Sequence, residues 1–380
     1  MAAEKDRNRV LSALDLAYTS PNPTAKPTQI QLETCNLCNL KCIFCPRENL
    51  PDIPRGIMPL EQVKLVEHLF PTAERIGLHG TGEPFLHRQF FELLKLAKSY
   101  GAETSLGTNL TMITEEVARK LVEDGAYLLV VSLDGATKRV FEKLRPPARF
   151  EQVLENLCTM QRIKREAGSP TPLICIEMVA ARENYWQLPA MARLGHKLGV
   201  EMVDVSNVAI LREEMRPHSV SHTLRFRLAM GLARRVARRL GVNFRYSYQY
   251  PLLYEDRREW YAQHSYHGPF GCVCAWTEVL VSLEGDVKAC CFSDETWGNC
   301  FEQDLEEIWN GPAAADFRNR ILTGDLPKQC IRCRNLIPLN HDVRTAAFAE
   351  ATRRLEATGL PDEERTELQQ LIETHRISEN

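Results

Sequence analysis

Short apolar runs and amphipathic stretches alternate along most of the first half of the chain. Runs such as YLLVVSLDG and PLICIEMVA are followed by segments with apolar residues every three to four positions, such as TEEVARKLVEDG. The runs predict strands and the periodic segments predict helices. Over 28–207 the pattern gives six strands with five helices between them. Because this alternation builds parallel sheets with right-handed crossovers, we predict an α/β fold with a partial (β/α)6 TIM-like barrel.

The segments outside the predicted barrel follow other patterns. Residues 1–27 form a polar N-terminal extension that is rich in proline near its end, and residues 338–380 predict two C-terminal helices. Residues 208–270 form an insert, predicted to be the substrate region, with an Arg-rich helix and then an aromatic stretch. Residues 271–337 predict a smaller Cys-rich domain made of a hairpin and helices.

The Arg-rich helix of the insert has apolar residues at every fourth position. This stripe predicts a face that docks on the rest of the fold, and it consists of Leu224, Leu228, Leu232, Val236 and Leu240. The arginines predict a solvated face, with a phosphate-bearing partner as the alternative; they are Arg225, Arg234, Arg235, Arg238 and Arg239. The aromatic stretch, with Tyr246, Tyr248 and Tyr250, lines either a substrate pocket or a core.

Charge and hydropathy narrow the class of protein. The formal net charge is -3, with 47 basic and 50 acidic residues, which argues against a general nucleic-acid surface. No run reaches the roughly 18 apolar residues of a membrane span, and the N-terminus has no apolar signal core. We therefore expect a cytoplasmic protein without membrane or nucleic-acid partners.

The thirteen cysteines fall into two groups. Four lie between Cys35 and Cys45, and seven lie between Cys272 and Cys333. In a reducing compartment, clustered cysteines indicate metal or redox sites and not disulfides.

The first group has the spacing C-x3-C-x2-C at Cys38, Cys42 and Cys45, directly after the first predicted strand. Three thiolates can each bind one iron of a [4Fe–4S] cube, which leaves the fourth iron open to the amino and carboxylate groups of S-adenosylmethionine (SAM). Adding Cys35 gives two alternatives, a ferredoxin-like cluster and a zinc knot. The spacing differs from that of ferredoxins, and structural zinc sites normally use two separated pairs.

With Phe44 before its third cysteine, this loop resembles that of the radical SAM superfamily, in which an aromatic residue lies beside the adenine. The resemblance implies a SAM-binding [4Fe–4S] cluster, SAM and a 5′-deoxyadenosyl radical. It also implies cofactor-binding residues at the strand ends, namely Gly80, Thr81, Gly82, Glu83, Asn109, Ser132, Asp134 and Glu177. As alternatives, the asparagine, serine and aspartate cap helices, and Glu177 pairs with an arginine.

The second group surrounds a predicted hairpin, VLVSLEGDVKACC, whose turn is EGD. Such a hairpin brings Cys272 and Cys290 together, and Cys330 and Cys333 form a C-x2-C pair. These four thiolates would complete a second cube, and a zinc ribbon is the alternative.

This region resembles the SPASM/Twitch extension of radical SAM enzymes, through its C-x12-G-x4-C run and final C-x2-C. The full SPASM pattern has a further central cysteine run that is absent here, so the resemblance implies one auxiliary [4Fe–4S] cluster. The register of this pattern favours Cys272 over Cys274 and Cys290 over Cys291 as cluster ligands. Cys274, Cys291 and Cys300 are then not ligands.

These features predict a radical SAM oxidoreductase that acts on a small polar metabolite such as a sugar or aminocyclitol. In cluster number the chain resembles the aminocyclitol dehydrogenases of the 2-deoxy-scyllo-inosamine type. The auxiliary cluster would accept an electron, and a flavodoxin or ferredoxin would donate electrons. The alternatives are a maturase that modifies a ribosomal peptide and a non-catalytic iron–sulfur or zinc module. No catalytic base is identified from the sequence.

Overall fold

The computed structural model describes most of the chain, namely residues 2–50, 52–210, 212–247, 268–331, 333 and 335–377. Most of the aromatic stretch of the insert, including Tyr248 and Tyr250, lies outside the described residues.

The larger of the two described sheets has ten strands, and its centre is the predicted barrel. Successive strands lie side by side and parallel. They are β1 (Gln29–Leu32), β2 (Arg75–Leu78), β3 (Glu103–Thr108), β4 (Leu128–Ser132), β5 (Leu173–Ala180), β6 (Met202–Asn207) and β7 (Asn243–Tyr246). The α/β barrel prediction is confirmed, and the insert adds β7 as a seventh parallel strand that the apolar pattern did not indicate.

The Cys-rich region extends this sheet at its other edge. Its strands are β8 (Phe270–Cys272), β9 (Glu278–Val281), β10 (Asp286–Lys288), β11 (Gly298–Asn299) and β12 (Leu336–Pro338). Strand β9 pairs parallel with β1, and β10 and β11 follow antiparallel. Strands β8 and β12 form a separate two-stranded sheet. The predicted hairpin is therefore present, and it continues the barrel sheet.

Helices connect the strands and cover the sheet. In the barrel half they are α1 (Ala2–Tyr18), α2 (Pro46–Asn49), α3 (Leu60–Leu65), α4 (Phe90–Ser99), α5 (Glu115–Glu123), α6 (Lys138–Leu144), α7 (Phe150–Glu166), α8 (Leu188–Leu198) and α9 (Leu224–Leu240). The C-terminal half adds Val273–Thr277, Leu305–Trp309, Pro312–Thr323, His341–Glu356 and Asp362–Ile377. No described helix is both long and apolar enough to cross a membrane.

Strand alternation separates the packed core from the barrel interior. In β5, Ile174, Ile176 and Met178 are fully buried in the main hydrophobic core. Cys175 and Glu177 lie on the other face, because successive side chains of a strand point to opposite sides. The barrel interior therefore carries polar groups close to the carboxyl ends of the strands, where barrel enzymes place their sites.

The orientation predicted for α9 is wrong. The helix begins at Thr223, whose side chain accepts from the Phe226 amide, and it ends at Gly241 in the left-handed region. Three of the five residues of the predicted docking stripe are exposed, with fractions of 67% for Leu224, 65% for Leu228 and 52% for Leu232, and the other two are half-buried. The buried face consists of Phe226, Met230, Ala233 and Ala237. Two larger apolar residues and small alanines therefore form the contact, and the leucines face outwards beside the arginines.

The two ends of the chain form a second small core. Helix α1 packs on the helix His341–Glu356, with side chains such as Leu14 and Phe348 buried between them. The predicted N-terminal extension and C-terminal helices are thus one packed unit against the side of the barrel.

Candidate iron–sulfur and SAM site

The first cysteine group lies on the loop that follows β1. Cys38, Cys42 and Cys45 are all half-buried, on a loop tied by the Cys45 amide to the Cys42 carbonyl at 3.2 Å. The loop is also held from outside, because the Ile43 amide donates to the Leu144 carbonyl at 3.0 Å. Cys35 is buried, and its backbone forms a β-bridge with Ile57. Three thiols are therefore presented together by a fixed backbone, with Cys35 anchored beneath them.

The segment GTGE after β2 packs directly against this cysteine loop. The Gly82 amide donates to the Cys35 carbonyl at 3.2 Å, and the Thr81 amide donates to Asn36 Oδ1 at 2.9 Å. A Cβ atom at Gly82 would lie 2.2 Å from the Leu37 carbonyl oxygen, and one at Gly80 would lie 2.3 Å from Asn36 Oδ1. Both positions therefore favour glycine: at Gly82 the two loops touch backbone to backbone, and at Gly80 the Asn36 side chain fills the space.

Glu83 is buried behind the cysteine loop, where it links the ends of β2 and β3. Its carboxylate accepts from Thr108 Oγ1 at 2.7 Å and from the Asn109 amide at 2.8 Å. Burial raises the pKa of Glu83 to about 7, although these two donors lower it. Asn109 Nδ2 in turn donates to Asn39 Oδ1 at 2.8 Å and lies 3.7 Å from Cys38 Sγ.

Arg145 is a site residue that the sequence analysis did not identify. Its Nη1 lies 3.8 Å from Cys42 Sγ, and its Nε lies 2.7 Å from Asp134 Oδ2. Burial opposes the charge on Arg145, but the Asp134 carboxylate and the Cys42 sulfur outweigh it and raise its pKa. Burial also raises the pKa of Cys42 to about 11, with Arg145 acting in the opposite direction. A spacing motif does not reveal this arginine, because it lies some hundred residues after the cysteines.

Phe44 lies on the opposite side of the loop, against the ends of β5 and β6. It packs in a small apolar cluster with Ala181, Val208 and Met215, and its ring meets that of His218 edge-on at 5.2 Å. The structure thus places Phe44 beside the first residues of the insert. Its position at the rim of the barrel suits an adenine-contacting aromatic residue.

A polar row crosses the barrel interior from β4 to β6. Ser132 is in register with Glu177, and Glu177 is in register with Asp204. Asp204 Oδ2 accepts from Ser247 Oγ at 2.8 Å, while Asp204 Oδ1 and Ser206 Oγ are buried without a hydrogen-bond partner among the described residues. Such buried polar atoms normally bind a ligand or water, so Asp204 and Ser206 are further candidates. A lone aspartate or serine in a strand carries no sequence signal for this role.

The second cysteine group is built on the hairpin β9–β10. Gly285 in its turn has a φ of +88°, and a Cβ atom there would lie 2.6 Å from Asn299 Oδ1, so this position favours glycine. The Cys333 amide donates to the Cys330 carbonyl at 2.9 Å, which makes the C-x2-C pair a tight turn. Register brings Cys272 on β8 opposite Leu336 on β12, just after that turn.

The thiols of this group influence one another. Burial and then the neighbouring thiolates of Cys291 and Cys272 raise the pKa of Cys290. Burial and the thiolates of Cys272 and Cys333 raise the pKa of Cys330. The structure thus brings the four predicted ligands Cys272, Cys290, Cys330 and Cys333 into one region. It also places Cys274 there, since its thiol donates to Cys272 and lowers the pKa of Cys272. Cys300 is buried near the Gly285 turn, whose carbonyl accepts from its amide.

The donor sets at both places fit iron–sulfur clusters. Within the part of the chain that the structure describes, no three His, Cys, Asp or Glu side chains converge on one metal-ion position. Thiolates are the protein ligands of iron–sulfur clusters, and both cysteine groups supply them.

The chain has a parallel α/β barrel with a cysteine loop after the first strand, and a second cysteine group on an extension of the sheet. These features together define a class of iron–sulfur barrel proteins. Comparison with known families agrees: residues 32–195 match the radical SAM superfamily, and residues 272–334 match the iron–sulfur cluster-binding domain called SPASM. The chain thus contains a radical SAM domain and a SPASM domain. These domains imply a [4Fe–4S] cluster with SAM and auxiliary iron–sulfur binding.

Several curated proteins are similar to about half of this chain. The tungsten-containing aldehyde ferredoxin oxidoreductase cofactor-modifying protein of Pyrococcus furiosus is 31% identical over 194 residues, 49% of this chain and 52% of that protein. The mycofactocin maturase of Mycolicibacterium smegmatis is 28% identical over 183 residues, 46% of this chain and 43% of that protein. The chain thus spans about half the length of the curated relatives it matches.

Solved structures share the fold at low sequence identity. The anSMEcpe structure with bound AdoMet matches with a TM-score of 0.60 and 17% identity, covering 92% of this chain and all of that chain (100%). The Streptococcus suis SuiB structure bound to S-adenosylmethionine also has a TM-score of 0.60 and 17% identity, covering 77% of this chain and 68% of that chain. These matches support the fold across both the barrel and the Cys-rich region.

Proposed function

We propose that the chain is a radical SAM enzyme in which Cys38, Cys42 and Cys45 hold the SAM-binding [4Fe–4S] cluster. The observation that carries this proposal is the single loop after β1 that presents the three thiols of Cys38, Cys42 and Cys45 half-buried, while the Cys35 thiol is buried. When bound, this cluster and SAM supply a 5′-deoxyadenosyl radical for hydrogen abstraction from an organic substrate, and an auxiliary cluster supplies an acceptor for one electron.

The residues around the loop have distinct tasks in this proposal. Phe44 contacts the adenine, and Arg145 offers a buried cation to the SAM carboxylate and to Cys42. The GTGE loop offers backbone carbonyls to the SAM ammonium, and the missing side chains of Gly80 and Gly82 let this loop pack against the cysteine loop. Ser132, Asp134 and Glu177 stay candidates for cofactor contacts, and Asp204 with Ser206 completes the polar lining beside them. Glu83 and Asn109 hold the ends of β2 and β3 in position.

The second cysteine group supports a single auxiliary [4Fe–4S] cluster held by Cys272, Cys290, Cys330 and Cys333. Parallel pairing of β9 with β1 fixes this region against the strand that carries the first cysteine loop. A flavodoxin or ferredoxin would deliver electrons, and such chemistry suits a reducing, cytoplasmic environment.

We further propose a small polar metabolite as substrate, because the described barrel interior carries carboxylates and hydroxyls from Ser132 to Ser206. The second candidate is a peptide or a peptide-derived cofactor. It is favoured by the names of two relatives, the cofactor-modifying protein of Pyrococcus furiosus and the mycofactocin maturase.

The cluster assignment is tested by anaerobic reconstitution of the full chain, followed by dithionite reduction with SAM. We expect about eight irons per chain and formation of 5′-deoxyadenosine. Cys45→Ala should lose about four irons and all 5′-deoxyadenosine, whereas Cys158→Ala, which changes an exposed thiol on α7, should keep both. A Cys45→Ala variant that still cleaves SAM would refute the proposal.

The substrate class is tested with the reduced enzyme, SAM and fractions of a cytosolic extract. A stimulation of 5′-deoxyadenosine formation by the low-mass fraction, unchanged by prior protease treatment, supports a small metabolite. Stimulation that protease treatment abolishes would instead support a peptide substrate.

A further inference from the structure

The outer face of α9 is an unusual surface. Three leucines in successive turns are more than half exposed, at 67%, 65% and 52% for Leu224, Leu228 and Leu232. The opposite face of the helix is packed, so the leucines cannot turn inwards without losing the contacts of Phe226 and Met230. Exposed leucines occur singly on most surfaces, but a line of three on one ridge marks an interaction site.

Six exposed arginines accompany the leucines, and α9 contains no acidic residue. They are Arg225, Arg227, Arg234, Arg235, Arg238 and Arg239. None of them has an ion pair with another residue of the described chain. Some exposed arginines on other helices are paired, as Arg119 is with Glu115 and Arg353 is with Glu350, whereas α9 groups six of them on one helix without an acidic residue. The cationic charge of α9 is thus left for a partner to neutralise.

The spacing of the exposed residues fits a helix as that partner. Leu228, Leu232, Arg235 and Arg239 follow the 4-3-4 spacing of a heptad seam, which stays on one side of a helix with 3.6 residues per turn. The seam is one side chain wide, and Arg225 and Arg238 lie beside it. A second helix with leucines and acidic residues would match this seam along its length, as acidic and basic flanking positions do in coiled coils.

A second copy of this chain fits the surface poorly. Two α9 helices would bring six arginines against six arginines, and like charges across an interface oppose association. An anionic lipid surface would attract the arginines, but the apolar stripe is narrower than the broad apolar faces of helices that lie in membranes.

We propose that the outer face of α9, defined by Leu224, Leu228, Leu232, Arg235 and Arg239, is the docking site for an acidic amphipathic helix of a polypeptide partner. The leucines bury against the apolar stripe of that helix, and the arginines pair with its carboxylates. This proposal is independent of the reaction, since α9 carries none of the residues assigned to the cofactors.

The test uses the reconstituted full chain and a fluorescein-labelled synthetic helical peptide of about three heptads, with leucine at the seam positions that face Leu228 and Leu232 and glutamate at those that face Arg235 and Arg239. Fluorescence anisotropy should show binding that weakens as salt rises, because exposed charges are screened. Leu228→Glu and the pair Arg235→Glu with Arg239→Glu should each weaken binding about tenfold or more. Arg88→Glu, at an exposed arginine away from α9, should bind like the wild type.

Two further measurements keep the test decisive. Iron content and 5′-deoxyadenosine formation should be unchanged in the α9 variants, which shows that they are folded and separates this proposal from the proposed activity. The same peptide with lysine in place of glutamate should not bind. Equal binding of the acidic peptide to wild type and α9 variants would overturn the proposal. So would arginine-dependent binding to vesicles of phosphatidylcholine and phosphatidylglycerol without binding to the peptide.

Discussion

At the scale of single residues, polar groups behind the cysteine loop set the charge and the hydrogen-bond donors around its sulfur atoms. Arg145 brings a buried positive charge to 3.8 Å from Cys42 Sγ, and Asn109 brings an amide donor to 3.7 Å from Cys38 Sγ. Hydrogen bonds and positive charge near the sulfurs of a cluster stabilise its reduced, more negative state. The surroundings of this loop therefore favour electron uptake at the proposed cluster.

Arg145→Met tests this effect on the reduction potential. Removing the guanidinium should lower the midpoint potential of the cluster, because the added electron then lacks a nearby cation. A redox titration followed by electron paramagnetic resonance measures the shift. The matched control is Lys143→Met, an exposed cation two residues away on α6, which should leave the potential in place. An unchanged potential in Arg145→Met would contradict the assignment.

Glu83 gives a pH-dependent prediction. Burial raises the pKa of Glu83 to about 7 from an ordinary value of 4.5. Between these two pH values, the folded state therefore holds a proton that the unfolded state has already lost. Its contribution to stability is therefore fully present below about pH 4.5 and declines as pH rises through about 7. Urea unfolding of cluster-free protein between pH 5 and pH 8 should show this decline.

Glu83→Gln should flatten that pH dependence, because an uncharged amide keeps both contacts: it accepts from the Asn109 amide and donates to Thr108 Oγ1. The gain at pH 8 should be on the order of a few kcal/mol. A variant with the same pH profile as the wild type would show that Glu83 is not the responsible group.

At the scale of elements, the sequence predicted the strands that follow a regular apolar pattern. It did not predict the features that depend on tertiary contacts. Strands β1 to β6 have apolar runs bounded by turns, and the hairpin β9–β10 has a glycine turn, so both were predictable. Strand β7 was not, because NFRY lies at a sheet edge, where two of its residues are exposed and the other two are only half-buried. The orientation of α9 was missed because its leucines are more apolar than its alanines and therefore dominate the periodic pattern. The alanines nevertheless form the buried face, since they allow close packing.

Gly82→Ala tests the contact between the GTGE loop and the cysteine loop. The added methyl group would meet the Leu37 and Cys35 carbonyl oxygens at 2.2 and 2.6 Å, so the cysteine loop must move. We expect reconstituted Gly82→Ala to lose about four of about eight irons. Gly107→Ala in β3 is the matched control, since a Cβ atom there meets nothing within 4 Å. Full iron content in Gly82→Ala would mean that the two loops are not as close as described.

At the scale of the whole molecule, a short segment after α1 joins the chain ends, the barrel and the Cys-rich region. Trp309 Nε1 donates to the Ala25 carbonyl at 2.9 Å, and Trp276 Nε1 donates to the Ser20 carbonyl at 2.7 Å. Sequence patterns could not predict this arrangement, because its acceptors are backbone carbonyls that any residue possesses.

Arg318 is the centre of this junction. Its guanidinium is fully buried, stacked 4.2 Å from the ring centre of Trp309 and 5.0 Å from that of Trp297. It donates to the carbonyls of Ala275, Trp309 and Pro21, so that it spans the N-terminal segment and the Cys-rich region. Burial lowers its pKa to about 9, and the Asp15 carboxylate acts in the opposite direction.

Arg318→Met should therefore destabilise the whole chain by roughly 3–5 kcal/mol, because three buried carbonyls lose their donor at once. Urea unfolding of the cluster-free protein measures this loss. Arg88→Met, at an exposed arginine, should change the free energy of unfolding by less than about 0.5 kcal/mol. If the junction couples the regions, Arg318→Met should also expose the segment 20–25 to protease while the barrel stays resistant. Unchanged cleavage there would show that the tryptophans alone hold the segment in place.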